Sequence, residues 1–131
     1  SPLMVNPIRV LVVANIIARG TSFGFCNSEK QKICGRIIHA EDIVEIRDTV
    51  KLNHRTILVC ERITEELIPV LRIIDGVISE SGSDLQEENL KLVNPNLVYI
   101  QNVPDACKIL EDNLSVSIDG EQGLIYEGAI C

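Results

Sequence analysis

Tryptophan is absent from this sequence, and two Tyr and two Phe bring the aromatic share to only 3%. A core with so few rings has to be aliphatic, and the Ile, Val and Leu that crowd nearly every segment favour sheet-rich packing. Basic clusters are missing too. With 12 Lys and Arg against 19 Asp and Glu, a net charge of −7 and a pI near 4.8, the chain would repel a phosphate backbone, so no nucleic-acid partner is expected. Long apolar runs are also lacking: Ile8 to Ala18 is broken by Arg9 and Asn15 and falls short of the roughly 20 residues that a membrane helix needs. No membrane partner is expected, and the chain reads as soluble.

C-x-x-C spacing is missing from the five cysteines, Cys26, Cys34, Cys60, Cys107 and Cys131. Their odd number, and the place of Cys60 at the end of an apolar run where a buried free thiol fits, point to an intracellular reducing compartment, cytoplasm or plastid. Cys26 and Cys34 form a redox pair only if the loop between them folds back, because spacing supplies no Cα separation. Neither signal nor transit peptide is visible, and a chain opening Ser1-Pro2 is expected to be a piece of something larger.

What is present is one domain's worth of alternating elements. A chain of 131 residues suits a single core that buries about 65–70% of its unfolded surface. The β-branched density from Ile8 to Ile17 predicts a strand, and Ala18 to Gly24 predicts a loop with two glycines. Further strands are expected at Cys34–Ala40 and Thr56–Cys60, the latter apolar on both faces. Glu41–Ile46 starts a short helix or a further turn, and Asn53 to Arg55 is a polar turn. Thr64 is placed to cap a helix in which Leu67, Val70, Leu71 and Ile74 recur at helical spacing, with Pro69 in its early turns and Asp75-Gly76 at its end.

Val77-Ile78-Ser79 continues as a strand, giving a strand–helix–strand unit. Ser83 with Gln86, or Asp84 with Glu87, is spaced as a capping box for a helix through Leu92. Asn94-Pro95-Asn96 stops it. A strand at Leu97–Ile100, a short helix at Ala106–Leu110, and a hairpin of Leu114–Ile118 with Leu124–Tyr126 complete the pattern. An α/β class with a mixed sheet follows.

The order of these pieces, with Gly35-Arg36-Ile37-Ile38, Val77-Ile78-Ser79 and above all Ser115-Val116-Ser117-Ile118-Asp119-Gly120-Glu121-Gln122-Gly123-Leu124-Ile125-Tyr126-Glu127-Gly128, resembles one family. That family is the swivelling phosphohistidine domain of phosphoenolpyruvate-utilising enzymes, also found as an extra C-terminal domain of some pyruvate kinases. The resemblance implies a swivelling β/β/α fold over residues 18–128, with 1–17 as a lead-in from a preceding domain and 129–131 as a tail. It also implies a phosphoryl-accepting histidine at a helix start, the last residue of a Gly-Gly-x-Thr-Ser-His motif. Here that stretch reads Gly82-Ser83-Asp84-Leu85-Gln86-Glu87, so Glu87 stands at the histidine position.

No catalytic residue, metal site or cofactor is therefore expected in this stretch of chain. The expected role is a non-catalytic regulatory or assembly domain of a pyruvate-kinase-like protein, with the catalytic domain of the same chain or an oligomer neighbour as partner. Two alternatives remain open. One is an active phosphocarrier using His39 or His54, although both read as structural or solvated because neither has a partner at metal or triad spacing. The other is a small-anion effector module that takes a phosphorylated metabolite on Arg19, Gly20, Thr21 and Ser22, a stretch resembling an anion nest.

Overall fold

A computed structural model describes residues 15–22, 32–42 and 55–129. Within them lie strands β1 (Ile16–Arg19), β2 (Thr21–Ser22), β3 (Lys32–His39), β4 (Thr56–Cys60), β5 (Gly76–Ser79), β6 (Val98–Gln101), β7 (Ser115–Asp119) and β8 (Leu124–Glu127). Helix α1 (Ile68–Leu71) follows a 3-10 turn at Glu65–Leu67, α2 spans Glu87–Val93, and α3 spans Ala106–Ile109. The strands form one mixed sheet of eight in the order β1-β8-β7-β3-β4-β5-β6-β2. Strands β3 to β6 run parallel in sequence, and β7, β8, β1 and β2 are antiparallel to their neighbours.

Side chains on a strand alternate between faces, so a two-sided sheet needs apolar residues at consecutive positions. Strand β4 shows this: Ile57 and Val59 enter one core with Ile37, Ile78, Ile100, Val116 and Ile118. Leu58 and Cys60 enter a second, where α1 and α2 bring Val70, Leu71 and Leu90 against Val77 and Tyr99. Alternation on β4 thus divides the aliphatic content between two packed layers, and that supports the α/β class.

The stretch from Ala18 to Ser22 departs from its expected loop. Strand β1 pairs with β8 and β2 pairs with β6, at opposite ends of the strand order, with Gly20 alone between them. One continuous segment therefore covers both edges of the sheet and rolls it closed, which removes the open edges that invite aggregation. Glycine is needed because the backbone passes so near β6: a Cβ at Gly20 would press on the Gln101 carbonyl and lie 2.5 Å from Val103 Cγ2. Composition marked this stretch as a break, but its pairing partners are roughly 80 to 110 residues away in sequence.

Other boundaries move for local reasons. Helical periodicity extended the first helix to Ile74, whereas α1 stops at Leu71, and Thr64 makes no side-chain capping bond. Gly76 is no helix cap but the first residue of β5, where an added Cβ would meet Ile118 Cδ1 and Ile33 Cδ1 at 3.0 Å. Gln86 occupies the N-cap of α2 without a side-chain bond, so neither expected capping box forms. Asn94 ends α2, and its side-chain amide donates to Leu71 O at 2.9 Å and Ile74 O at 3.0 Å, tying α2 to the chain leaving α1.

Cys34 is disulfide-bonded. Cys60 and Cys107 are free thiols. Cys26, Cys131, His54 and most of the 1–17 lead-in lie outside the described residues.

Candidate functional site

Strand β5 delivers the chain to the loop in which the family resemblance expects a nucleophile. Its last residue, Ser79, is fully buried; the hydroxyl lies 3.1 Å from Tyr99 Oη and accepts the Gly82 amide at 3.2 Å. The loop then runs alongside the segment after β4. Amides of Glu80 and Ser81 donate to Cys60 O and Glu61 O, Ile63 N donates to Gly82 O, and Asp84 N donates to Ile63 O. Arg62 fastens the outside: its guanidinium pairs with the Asp84 carboxylate and donates to Ser81 O at 2.8 Å and Ser83 O at 3.2 Å. Ser83 Oγ accepts the Leu85 amide at 2.9 Å and donates to Leu85 O at 3.0 Å, a local turn in place of a helix cap.

A phosphate-binding loop needs amides with nothing else to bind. Here the amides of Glu80, Ser81, Gly82, Asp84 and Leu85 all have acceptors within the protein. Glu87 opens α2, exposed to solvent, with Oε1 3.9 Å from Lys91 Nζ one turn on. It resembles an ordinary surface residue of a helix first turn, where a carboxylate suits the dipole.

Of the expected anion-binding group, Arg19 and Thr21 are exposed on short strands. The Gly20 amide donates to Gly123 O at 2.8 Å and is not free for an anion. Ser22 follows in the pair with β6. The structure brings these residues into the sheet seam rather than into a nest.

Strands β3 and β4 end at a cleft of about 430 Å³ that sequence reading missed except for His39. His39 stands at its edge, where Nε2 donates to the Leu110 carbonyl and the backbone amide donates to Asp112 Oδ1 at 2.9 Å. A carbonyl only accepts, so Nε2 carries the ring proton in this contact. Beside it lie Cys60 and Cys107, reached from β4 and α3. Burial, then the charges of Cys107 and Glu80, push the Cys60 thiol up to about 12. Burial, then the charge and hydrogen bond of Glu80 and the charges of Glu61 and Glu41, push Cys107 up to about 12 as well. Both thiols are therefore protonated and unreactive at neutral pH.

Glu80 joins the two regions, since its Oε2 accepts the Cys107 amide at 3.0 Å. The signal that could have found this cleft is topological: ligands of parallel sheets gather at the carboxyl ends of strands, and His39, Cys60 and Ser79 are the last residues of consecutive parallel strands. Among the described residues, no group of three or more His, Cys, Asp or Glu is arranged to hold a metal ion. Nor does any described helix have the length and apolar character to cross a membrane.

Comparison with known proteins finds similarity to a probable phosphoenolpyruvate synthase of Methanothermobacter thermautotrophicus, 28% identical over 88 residues. A pyruvate kinase of Staphylococcus haemolyticus is 24% identical over 123 residues, 94% of this chain. The relatives are phosphoenolpyruvate-utilising proteins. For the synthase the match covers 67% of this chain and 13% of the relative, and for the kinase it covers 20% of the relative, so the chain spans a small part of each. No family model matches. Among solved structures, the holo-form of Thermococcus kodakaraensis aconitase X superposes with a TM-score of 0.51 at 13% identity, covering 84% of this chain and 96% of that chain. At that identity the likeness concerns fold, and it agrees with the α/β class.

Proposed function

We propose that this chain is a non-catalytic swivelling domain of a pyruvate-kinase-like protein, acting in regulation or assembly through the catalytic domain of its own chain or an oligomer neighbour. The observation that carries the reading is Glu87, an exposed carboxylate paired with Lys91 where the resembling family holds its phosphoryl-accepting histidine. A carboxylate there forms only a labile acyl phosphate, and the exposed Glu88 beside it repels an incoming phosphoryl group. The committed amides of the preceding loop support the same reading, because an incoming phosphate would have to break those bonds.

The test is incubation of the full-length protein with radiolabelled phosphoenolpyruvate and Mg²⁺, followed by digestion. No acid-labile label on this stretch of chain is the expected result, and deletion of residues 18–131 is expected to change assembly or effector response. Label on His39 or His54 would overturn the proposal in favour of a phosphocarrier.

A further inference from the structure

We infer that Cys131 is the disulfide partner of Cys34, and that the bond is a redox-sensitive tether holding the segment after β8 to the face of β3 that carries Cys34. The inference is independent of the regulatory reading, because it rests on the cysteines and on the hydrogen bonds around β7. Cys34 is disulfide-bonded, while Cys60 and Cys107 are free, so of the five cysteines only Cys26 and Cys131 can complete the bond.

The contacts around Ser117 decide between them. Ile33, Val116 and Ile118 enter the core that also holds Ile37, so Cys34 and Ser117, which alternate with them, point to the other face of the sheet. The two are cross-strand partners, with Cys34 Sγ 3.2 Å from Ser117 Oγ. The same Ser117 hydroxyl donates to Gly128 O at 2.6 Å. One hydroxyl therefore stands between the Cys34 sulfur and the backbone at Gly128. Strand β8 ends at Glu127, and Gly128, with φ +84°, turns the chain off the strand line while its amide donates to Ser115 O at 2.9 Å. With its amide on Ser115 and its carbonyl on Ser117, Gly128 starts the following chain on the side of β7 where Cys34 lies. Cys131 is three positions on, and three residues span up to roughly 10 Å, enough to reach a sulfur beside Ser117. Cys26 has no comparable lead: Ser22, four positions before it, pairs with Ile100 on β6, and β4 and β5 stand between β6 and β3.

The bond closes a ring of chain that includes every strand from β4 to β8. A dithiol reductant opens it in two exchanges: one thiolate attacks a disulfide sulfur, and the second thiol displaces the mixed disulfide. Cys34 and Cys131 are left as thiols and the reductant as its cyclic disulfide. Gly128 then keeps only its hydrogen bonds to β7.

The test is peptide mapping of the full-length protein, purified without reductant, blocked with N-ethylmaleimide in denaturant and digested with trypsin. Cleavage after Arg19, Lys30, Lys32, Arg36 and Lys108 places Cys26, Cys34 and Cys131 on separate peptides. A dithiothreitol-sensitive species joining Ile33–Arg36 to the peptide that begins at Ile109 is the expected result. Ile33–Arg36 joined to Gly20–Lys30, or recovered with Cys34 blocked by the maleimide, overturns the inference. Tethering is read separately by amide exchange: dithiothreitol should quicken exchange at Gly128 at least about tenfold relative to β4, and Cys131→Ser should show the fast rate with or without reductant. Equal rates before and after reduction, in protein shown to carry the bond, overturn the tether.

Discussion

The backbone amide of Gly20 donates to the carbonyl of Gly123 at 2.8 Å, and this bond holds the point at which the chain leaves the edge of β8 for the edge of β6. The sheet closes through a single residue, with Gln101 O and Val103 Cγ2 directly over the place where a side chain would begin.

Substitution at this seam is expected to destabilise the whole fold. Gly20→Val should cost on the order of 3 kcal/mol or more, because the added carbons meet backbone that cannot move independently of β6. Urea unfolding measures it. Arg19→Ala, one residue earlier and exposed, is expected to stay within about 0.5 kcal/mol of the unaltered protein.

The hairpin β7–β8 depends on one buried carboxylate. Asp119 is 1% exposed, and its Oδ1 accepts the amides of Glu121 at 3.0 Å and Gln122 at 3.1 Å, with Lys32 Nζ 3.8 Å from Oδ2. Asp119→Ala leaves two turn amides without their acceptor and is expected to cost about 1–3 kcal/mol. A comparison of urea midpoints with Asp119→Asn, which keeps an acceptor oxygen, should show the smaller loss in the asparagine variant.

Arg62 fastens the loop after β5 from its solvent side. Its side chain is 47% exposed, so Arg62→Ala is expected to lower global stability by only about 1 kcal/mol. The local effect should be larger: amide exchange at Ser81 to Asp84 should quicken relative to β4 and β5. Unchanged exchange across the loop would mean that the ladder to residues 60–63 holds it without the guanidinium.

Alkaline pH should weaken the fold through groups that keep their protons more tightly folded than unfolded. Cys60 and Cys107 rise from 9.0 to about 12, and Tyr99 rises from 10.0 to about 12, chiefly through burial. Their contribution is fully present below about pH 9 and is lost progressively as pH rises from 9 towards 12. Thermal midpoints across this window measure the loss, which Cys60→Ser should alter. The same shifts predict that iodoacetamide modifies neither free thiol appreciably at neutral pH until denaturant is added.

Much of the fold was legible because its cause is local. Thr56–Cys60 is buried at every position and apolar from Ile57 onward, and the strand found there has the expected bounds. Asp119 to Gly123 carries turn chemistry between two alternating strands, and the hairpin follows. Periodicity overextended the first helix because Ile74 packs in the same layer as Leu71 without being helical. Gly76 was misassigned because a glycine after a helical pattern has the same appearance whether it is needed for backbone conformation or for close packing.

The site divides in the same way. The acid at Glu87 and the missing histidine are facts of sequence, as are the aliphatic core and the net negative charge. Tertiary structure decided that Gly20 closes the sheet, that Arg62 reaches three groups of the following loop, and that His39, Cys60 and Cys107 border one cleft. Composition and periodicity act between near neighbours and are written in the chain. Those three relationships join residues roughly 20 to 100 positions apart, and only the parallel stacking of β3, β4 and β5, with closure by β1 and β2, brings them together.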